Sequence, residues 1–345
     1  MNSHELTEYI SKIVERKHPP DTDEFLPIIK SAVSTLQNES DAIRPRDNND
    51  LPGGLINLHK EIPTLIVPDL HARINFIVSL LFWNLENNNN VLNQLFQKQI
   101  QILCVGDGIH AEGRAVQRWQ KAYNEFQNGY KHRKAMDEEM KESFGLMQIV
   151  MLLKSIFPEN FHFLKGNHEN IANETKDGNF GFAKYVMEGA MVADYVKKFY
   201  SNDFLLNYYI FEKSLPLLAV GHSFIVSHAQ PRKYFGRDEI INYRENIKEI
   251  VTGLTWTDNG ASLPGTCSRM LEDYLPGNTD NNSYKFYFGG HRPIRSLYRE
   301  IDNEAYYQIH NPNEQIVAYF PAGLPTAKPF DPETDIQIVP EWKKS

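Results

Sequence analysis

Five short segments, far apart in the chain, each place a potential metal ligand after an apolar run that predicts a β-strand. They are Pro68-Asp69-Leu70-His71, Gly106-Asp107-Gly108, Gly166-Asn167-His168-Glu169, Ser227-His228-Ala229 and Gly289-Gly290-His291. Carboxylate, amide and imidazole groups are donors that divalent cations prefer in proteins, and one carboxylate can bridge two cations. We therefore expect a fold that brings five strand ends together, with two divalent metal ions at that place.

The order of the predicted elements narrows the fold class. Short buried strands are predicted near residues 64–67, 101–105 and 161–164, and apolar residues at helical spacing fill much of the sequence between them. Further strands follow in the later part of the chain, at 215–220, 224–227, 284–288, 306–309 and 315–320. This order predicts an α/β fold, a sandwich of mixed β-sheets flanked by helices. Such sheets carry their functional sites at strand ends and in the loops that follow.

Three regions are predicted along the chain. Residues 1–55 form a helical N-terminal extension, because apolar residues recur there at helical spacing before a polar loop marked by Gly and Pro. Residues 56–325 form the domain that carries the five segments, and it includes a helical insertion at 115–160. Residues 326–345 form a Pro-rich, extended tail.

The charge balance and the cysteine content limit the classes of partner. The net charge of −8 disfavours a nucleic-acid binder, which normally presents a broad basic surface. No apolar run is long enough to span a bilayer, and Met1–Lys17 lacks the apolar centre of a signal peptide. Cys104 and Cys267 indicate neither a disulfide framework nor a thiolate zinc site. We expect a cytoplasmic protein without nucleic-acid or membrane partners, and the sequence leaves its oligomeric state open.

Each of the five segments, taken alone, also has a purely structural interpretation. Asp69 is typical of an Asx-turn, and Asp107 between two glycines is typical of a tight turn. His228 and His291 are typical of buried histidines at strand ends. Only the joint order of the five segments favours metal binding. His168 need not be a ligand, because an imidazole beside two metals can protonate a leaving alkoxide as a general acid.

The segments resemble the calcineurin-like metallophosphoesterases, and more closely the phosphoprotein phosphatase (PPP) family of Ser/Thr phosphatases. That family carries Gly-Asp-x-His-Gly, Gly-Asp-x-x-Asp-Arg-Gly, Gly-Asn-His-Glu, His-Gly-Gly and a late Arg-Gly-His or Arg-Ala-His. Two further segments are similar to family motifs, Leu215-Pro216-Leu217-Leu218 and Gly253-Leu254-Thr255-Trp256-Thr257-Asp258. The resemblance covers about residues 62–320 and implies a metal-dependent phosphoric monoester hydrolase.

The resemblance also implies roles for the matched residues. The implied metal ligands are Asp69, His71, Asp107, Asn167, His228 and His291. Of these, Asp69 and His71 belong to the first metal, Asp107 bridges both, and the remaining three hold the second. His168 is implied as the general acid, and water activated by the metals attacks the phosphorus without a covalent phosphoenzyme. The family uses Mn²⁺, Fe or Zn²⁺; we expect Mn²⁺ and leave the other two open.

The second motif departs most from the family pattern. Three residues after Asp107, where the family has an Asp that orients the general acid, this chain has His110. We predict that Glu112, the nearest carboxylate, takes over this role. Arg114, the nearest guanidinium, is predicted to replace the phosphate-binding Arg of the motif.

A second phosphate-binding arginine is expected before or near the last ligand, His291. Arg269 is the first choice, with Arg292 and Arg295 as alternatives, because a guanidinium fork binds two phosphate oxygens at once. His310 follows in a loop that borders the site in the family, and no ligand role is predicted for it.

Three functions remain open at the level of sequence. A Ser/Thr protein phosphatase is favoured by the matching segments. A hydrolase of small phosphoesters, such as a dinucleoside polyphosphate or a nucleotide, would follow if the N-terminal extension and the helical insertion roof over the site. A metal-binding scaffold without turnover would follow from the altered second motif, although Asp107, Asn167 and His168 are all retained. The expected partner is thus a phosphorylated protein or a small phosphoester.

Overall fold

The computed structural model describes residues 1–86, 89–276, 284–301, 305–323 and 328–342. The strands are β1 Leu55–Asn57, β2 Thr64–Val67, β3 Asn84–Glu86, β4 Asn89–Asn90, β5 Gln101–Cys104, β6 Phe161–Phe163, β7 Leu218–Val220, β8 Phe224–Ser227, β9 Phe286–Gly289, β10 Arg299–Ile301, β11 Tyr306–Gln308, β12 Ile316–Phe320 and β13 Ile336–Ile338. The helices are α1 Ser3–Glu15, α2 Thr22–Gln37, α3 Ile74–Phe82, α4 Val91–Phe96, α5 Val116–Gln127, α6 Lys134–Ile156, α7 Glu188–Phe199, α8 Asn202–Ser214, α9 Arg237–Ile241, α10 Ile247–Thr255, α11 Thr266–Tyr274 and α12 Pro332–Asp335. None of the helices in these ranges combines the length and the apolar character that a membrane crossing requires.

Two mixed sheets form the centre of the described structure. The first has the strand order β1-β7-β8-β9-β11-β10, in which β8, β9 and β11 run parallel. The second has the order β13-β12-β2-β5-β6, in which β2, β5 and β6 run parallel. A separate short hairpin pairs β3 with β4.

The alternation of side chains along each strand divides the core into three clusters. In β2, Leu65 and Val67 pack with the helices α1 to α8, whereas Ile66 packs between the two sheets. In β8, Ile225 packs with helices α9 to α11, whereas Val226 joins Ile66 in the space between the sheets. The result is a sandwich of two sheets with a helical layer on each outer face. The predicted fold class is confirmed.

The first two helices pack into the body of the protein. Leu6 of α1 and Phe25 of α2 are fully buried in the cluster that covers the second sheet. Just after α2, Glu39 forms buried ion pairs with Arg44 and with Lys154 of α6. The N-terminal segment therefore shares a core with the rest of the chain, while the boundary predicted at residue 55 stays a prediction.

The predicted insertion consists largely of α5 and α6. Every residue of α6 from Ser143 to Lys154 is buried, so this helix belongs to the main core and does not form a separate layer. In the predicted tail, β13 pairs antiparallel with β12 and extends the second sheet. Residues 326–327 and 343–345 of that tail lie outside the described residues. The limits predicted for the insertion and the tail stay predictions.

The parallel strands of both sheets bring the five segments to one edge of the sandwich. In the second sheet, the loops that follow β2, β5 and β6 hold Asp69, Asp107 and Asn167. In the first sheet, the loops that follow β8 and β9 hold His228 and His291. Because parallel strands end on the same side of a sheet, these loops meet where the two sheets face each other.

Candidate dinuclear metal centre

Asp107 lies at the centre of the site and is almost completely buried. Its Oδ2 atom lies 3.6 Å from Nε2 of His71, which follows the second sheet, and 3.4 Å from Nε2 of His228, which follows the first. Both separations exceed the usual range of a hydrogen bond. Two donors that share one ion through bonds of about 2.1 Å lie roughly 3 to 4 Å apart, so the geometry fits co-ligands of a metal.

Asn167 joins the two histidines of the first sheet. Its side-chain oxygen Oδ1 lies 2.9 Å from Nε2 of His228 and 2.8 Å from Nδ1 of His291. Since His228 also approaches Asp107, the residues predicted to hold the second metal form one continuous cluster. Their roles as ligands remain a prediction, and their proximity is a property of the fold.

Asp69 lies beside Asp107 and His228 and is fully buried. Its Oδ2 atom accepts a hydrogen bond from the backbone N–H of His291 at 2.8 Å, and its Oδ1 atom has no hydrogen-bond partner among the described residues. Burial raises the pKa of Asp69 to about 6, and it raises the pKa of Asp107 well above its usual range. A nearby cation would reverse these shifts, because it favours the ionised carboxylate.

Burial lowers the pKa of the histidines around these carboxylates. The pKa of His71 falls to about 3, that of His291 to about 4, and that of His228 lies well below its usual range. These imidazoles are therefore neutral at pH 7, the form that binds metals. In His71 and His228, Nδ1 lies 3.1 Å from the carbonyl oxygens of His110 and Val105, respectively. In both rings this contact leaves Nε2 directed at the centre of the site.

Three of the predicted ligands have a left-handed backbone. The φ angles are 42° at His71, 53° at Asp107 and 64° at His291. Such conformations cost about 1–3 kcal/mol each in non-glycine residues and persist only where the surroundings impose them. Gly166 is part of that surrounding structure, because a Cβ atom there would lie 2.2 Å from Oδ1 of Asp107. The loops therefore hold these side chains in place at an energetic cost.

Glu169 fastens two of the loops together. It is buried, and its carboxylate accepts hydrogen bonds from the backbone N–H groups of Asp107, Gly108 and Gly166 at 2.9, 2.8 and 2.6 Å. It therefore positions the loops that carry Asp107 and Asn167 without lying among the candidate ligands. No role was predicted for Glu169 from the sequence. Its place directly after the Asn-His pair was the one sequence feature that could have indicated this positioning role.

His168 pairs with His110 and not with Glu112. The Nδ1 atoms of the two histidines lie 3.0 Å apart. Glu112 instead lies 2.9 Å from Nε2 of His310 and 2.9 Å from Nζ of Lys184. The predicted contact between Glu112 and His168 is therefore wrong. The left-handed backbone of His110, with φ of 64°, turns the chain so that its ring and the Glu112 carboxylate reach different partners.

Phe182 covers the His110–His168 pair. Its ring centroid lies 3.8 Å from that of His168, and its ring stacks on His110 at 5.2 Å. Burial, together with the neighbouring His71 and His110, lowers the pKa of His168 well below its usual range. Burial thus disfavours the protonated form of the ring, whose Nε2 atom faces Asp107 at 3.7 Å.

The two arginines predicted to bind phosphate lie in different surroundings. Arg114 lies at the rim of the site, where it pairs with Glu142 at 2.8 Å and donates to the carbonyl of Ala72 at 3.1 Å. Arg269 is exposed on α11, and its guanidinium stacks over the ring of Tyr234 at 4.0 Å. No contact among the described residues brings Arg269 to the candidate ligands, because α11 packs its opposite face on the outer side of the first sheet.

A cavity of about 400 Å³ opens beside His71. Its lining residues are His71, Arg73, Glu112, Gly113, Arg114, Lys184, Tyr185, Pro293, Pro312 and Asn313. Three of them are cationic, which suits a phosphate-bearing ligand. Arg73 and Lys184 had no predicted role, because they lie outside the recognisable motifs and reach the cavity only through the folding of distant loops.

His310 is a further residue whose position the sequence analysis missed. It is completely buried, and its Nδ1 atom lies 3.6 Å from Oδ2 of Asp69. Donor atoms of Asp69, His71 and His310 all lie within 4.8 Å of one another. The available signal was the position of His310 just after a strand, which it shares with His228 and His291.

The donor set of the site fits divalent metal ions. Besides the group with His310, donor atoms of His71, Asp107 and His168 cluster within 4.8 Å, and so do those of Asp69, Asp107 and His228. Carboxylate oxygen and neutral imidazole are the donors that Mn²⁺, Fe and Zn²⁺ accept. The presence of His168 in one group makes a ligand role for it an alternative to the general-acid role.

No protein-family model matches the sequence, and no curated protein matches it. Among solved structures, a protein serine/threonine phosphatase from Saccharomyces cerevisiae with similarity to human phosphatase PP5 matches 98% of this chain and 97% of its own, at 17% identity and a TM-score of 0.59. This chain therefore shares the fold of that phosphatase. A proposed diadenosine tetraphosphatase matches 85% of this chain and 100% of its own, at 15% identity and a TM-score of 0.42. A cold-active protein-tyrosine phosphatase of a psychrophile Shewanella sp. matches 77% of each chain, at 10% identity and a TM-score of 0.39.

Within this shared fold, the candidate centre lies at the strand ends where the five segments meet. The predicted resemblance is confirmed at the level of the fold. Substrate and activity are separate questions, because one fold hosts many functions.

Proposed function

We propose that this chain is a metal-dependent hydrolase of phosphomonoesters with a dinuclear centre. The observation that carries the proposal is the convergence on Asp107 Oδ2 of imidazole nitrogens from both sheets, at 3.4 and 3.6 Å. The residues that would hold the two ions are Asp69, His71, Asp107, Asn167, His228 and His291. Mn²⁺ is the first ion to test, because the donors are oxygens and neutral imidazoles, and Fe or Zn²⁺ would fit the same set.

When bound, two such ions would polarise phosphate oxygens and lower the pKa of a coordinated water. The chain's own residues supply the other requirements. Nε2 of His168 faces the centre, and the protonated ring would donate the proton on this atom to the leaving oxygen as that bond breaks. Phe182 covers the same ring and keeps water away from its outer face. Arg114 and Lys184 line the mouth of the cavity and would attract the phosphate dianion.

Phosphoserine or phosphothreonine in a protein is the favoured substrate. The segments Leu215–Leu218 and Gly253–Asp258 resemble the Ser/Thr phosphatase branch. The similar yeast structure, described as a serine/threonine phosphatase, matches this chain over 98% of its length. The mouth of the cavity is also bordered by half-exposed side chains, Lys184 at 39% and Arg114 at 41% exposure, so a phosphorylated side chain has a path to the centre.

The His110–His168 pair supports a second candidate, the hydrolysis of a small phosphoanhydride such as a dinucleoside polyphosphate. A carboxylate beside a histidine stabilises its protonated form, whereas a neutral imidazole at 3.0 Å does so much less. Proton donation by His168 would then be weak. A phosphoanhydride tolerates weak donation, because its leaving phosphate needs little protonation, unlike the alkoxide of serine or threonine.

The test compares kcat/KM on a phosphothreonine peptide with kcat/KM on diadenosine tetraphosphate, with Mn²⁺ and with Mn²⁺ removed by a chelator. We expect activity that vanishes on chelation, returns with Mn²⁺, and is higher on the peptide. A preference for the nucleotide of about a hundredfold or more would replace the first candidate by the second. Absence of turnover on both substrates and on p-nitrophenyl phosphate, with Mn²⁺, Fe²⁺ and Zn²⁺ each supplied, would leave a metal-binding scaffold.

A further inference from the structure

We propose that His310 is a further ligand of the first metal, and that Glu112 and Lys184 hold its ring in the orientation that binding requires. The inference rests on the proposed function, since it adds a residue to the dinuclear centre. It concerns a histidine outside the five segments and a carboxylate whose predicted role was wrong.

The position of His310 beside Asp69 is that of a second metal ligand. The Nδ1 atom of His310 lies 3.6 Å from Oδ2 of Asp69, too far for a good hydrogen bond, and it has no partner among the described residues. The side chain of His310 is completely buried, so water does not compensate this nitrogen from the surface. A separation of 3.6 Å is, however, what two donors show when each binds one ion through a bond of about 2.1 Å.

The contact with Glu112 determines which ring nitrogen of His310 carries the proton. Its Nε2 atom lies 2.9 Å from Oε2 of Glu112. An ionised carboxylate only accepts hydrogen bonds, so Nε2 of His310 carries the proton and donates it. In the tautomer with the proton on Nε2, the lone pair lies on Nδ1, the atom that lies 3.6 Å from Oδ2 of Asp69. A carboxylate that fixes the tautomer of a metal-binding histidine is a recurring arrangement in metal sites.

Lys184 favours the negative charge on Glu112. Its second oxygen, Oε1, accepts a hydrogen bond from Nζ of Lys184 at 2.9 Å. Both oxygens of Glu112 are thus occupied, which fixes the rotation of the carboxylate and favours its ionised form. Lys184 lies on the loop between β6 and α7 that also carries Phe182, so the same loop covers the general acid and supports the ligand.

A ligand role for His310 gives the two proposed metal ions the same number of protein ligands. With His310, the first metal is held by Asp69, His71, His310 and the bridging Asp107. The second metal is held by Asn167, His228, His291 and the same bridge. Each ion then has four protein ligands, whereas without His310 the first ion has three. We therefore expect the two ions to bind with more similar affinities than a set of three and four ligands would give.

The experiment measures metal content and affinity, not turnover. The purified protein is stripped with a chelator and reloaded with Mn²⁺, and bound metal per chain is measured by elemental analysis, with affinities from chelator competition. The variants are H310A, which removes the ligand, and E112Q, which keeps the shape but removes the charge. H222A is the control, because His222 lies in the turn between β7 and β8, outside the metal groups.

We expect two ions per chain in the unmodified protein and in H222A. H310A should retain one tightly bound ion and lose the other or bind it at least about tenfold more weakly, and E112Q should weaken the same ion by about 10- to 100-fold. If H310A does not fold by circular dichroism, H310Q replaces it under the same criteria. Two ions with unchanged affinities in the His310 variant would overturn the inference and leave the proposed function intact. No bound metal in the unmodified protein would contradict the proposed function itself.

Discussion

Two groups of buried charged side chains in this protein respond to burial in opposite ways. In the first, the Glu39 cluster, the carboxylate of Glu39 lies 2.5 Å from Nζ of Lys154 and 3.0 Å from a guanidinium nitrogen of Arg44. Burial alone would raise the pKa of Glu39, but Lys154 and Arg44 outweigh it and lower the pKa to about 2. The Glu39 cluster therefore supplies its own neutralising cations.

The candidate metal centre leaves its carboxylates without such partners. Asp69 and Asp107 lie among buried histidines, and burial raises the pKa of both. The nearby guanidinium of Arg73 donates to the backbone carbonyl of Asp69, at 2.6 Å. The Glu39 carboxylate therefore has its counter-ions within the fold. The carboxylates of the candidate metal centre would need an added cation to favour their ionised form to the same degree.

The largest effect is expected from Asp107→Asn. The variant removes the one carboxylate that faces imidazoles of both sheets, so kcat on p-nitrophenyl phosphate with Mn²⁺ should fall by at least about 10³-fold, the scale of losing one preorganised electrostatic group. The metal-free variant should unfold in urea at the same or a higher concentration than metal-free wild type, because a buried uncompensated carboxyl is gone. Full activity, or a less stable metal-free variant, would show that Asp107 is not the uncompensated centre.

The next effect concerns His168. In His168→Asn, kcat should fall by roughly 10²–10⁴-fold if this residue is a general acid, with both metals retained by elemental analysis. The loss should be greater on an alkyl phosphate than on p-nitrophenyl phosphate, whose leaving group needs little protonation. Loss of one metal would assign His168 as a ligand, in keeping with its position beside His71 and Asp107.

His110→Asp is the matched variant for this test. It places a carboxylate beside His168, where the family has one, and so gives the general acid an anionic partner. The activity on the alkyl phosphate should rise relative to that on p-nitrophenyl phosphate. An unchanged ratio would show that the neutral His110 does not limit proton donation.

Removing the charge of Glu39 should destabilise the protein, in contrast to removing the charge of Asp107. Glu39→Gln should lower the free energy of unfolding at pH 7 by roughly 3–5 kcal/mol, because Lys154 and Arg44 would stay buried without an anion. The folded-state pKa of about 2 lies below the usual 4.5, so this stabilisation is complete above pH 4.5 and is lost as the pH falls toward 2. The difference between wild type and variant, measured in urea at several pH values, should shrink across that window. Equal stabilities at pH 7, or a loss of bound metal, would contradict the contrast.

Added Mn²⁺ should stabilise the protein through the candidate metal centre and not through the Glu39 cluster. At a free Mn²⁺ concentration of 100 times the Kd, each bound ion should add about 2.7 kcal/mol to the free energy of unfolding. E39Q should gain the same increment, because its defect lies outside the metal centre, whereas Asp107→Asn should gain much less. Thermal unfolding of the three proteins with Mn²⁺ and with chelator measures this. An equal gain in the Asp107 variant would place the stabilising ion elsewhere.

The parts of the site that the sequence predicted are those that the sheets position. Asp69, Asp107 and Asn167 follow parallel strands of one sheet, so recognising the strands was enough to bring them together. Glu112 was assigned by its nearness in sequence to a motif, and Arg269 by its place between two motifs. Neither criterion determines the direction of a side chain in a loop or on a helix.

The partners of those residues lie far away in the chain. Glu112 meets His310 across 198 positions and Lys184 across 72. Spacing within one motif carries no information on contacts of that kind. The side chains around the cavity therefore became assignable only when the folded loops were known.

The smallest effect is expected at charges that are neither buried nor central. Arg114 is 41% exposed and already pairs with Glu142, so Arg114→Ala should raise KM on p-nitrophenyl phosphate by less than about tenfold, with little change in kcat. Arg269→Ala is the matched control, because this arginine lies over Tyr234 on α11 and should leave both constants within about twofold of wild type. A large fall in kcat for Arg114→Ala would mean that its guanidinium leaves Glu142 to bind the reacting phosphate. A comparable effect of Arg269→Ala would mean that Arg269 also binds the phosphate group, as the sequence predicts.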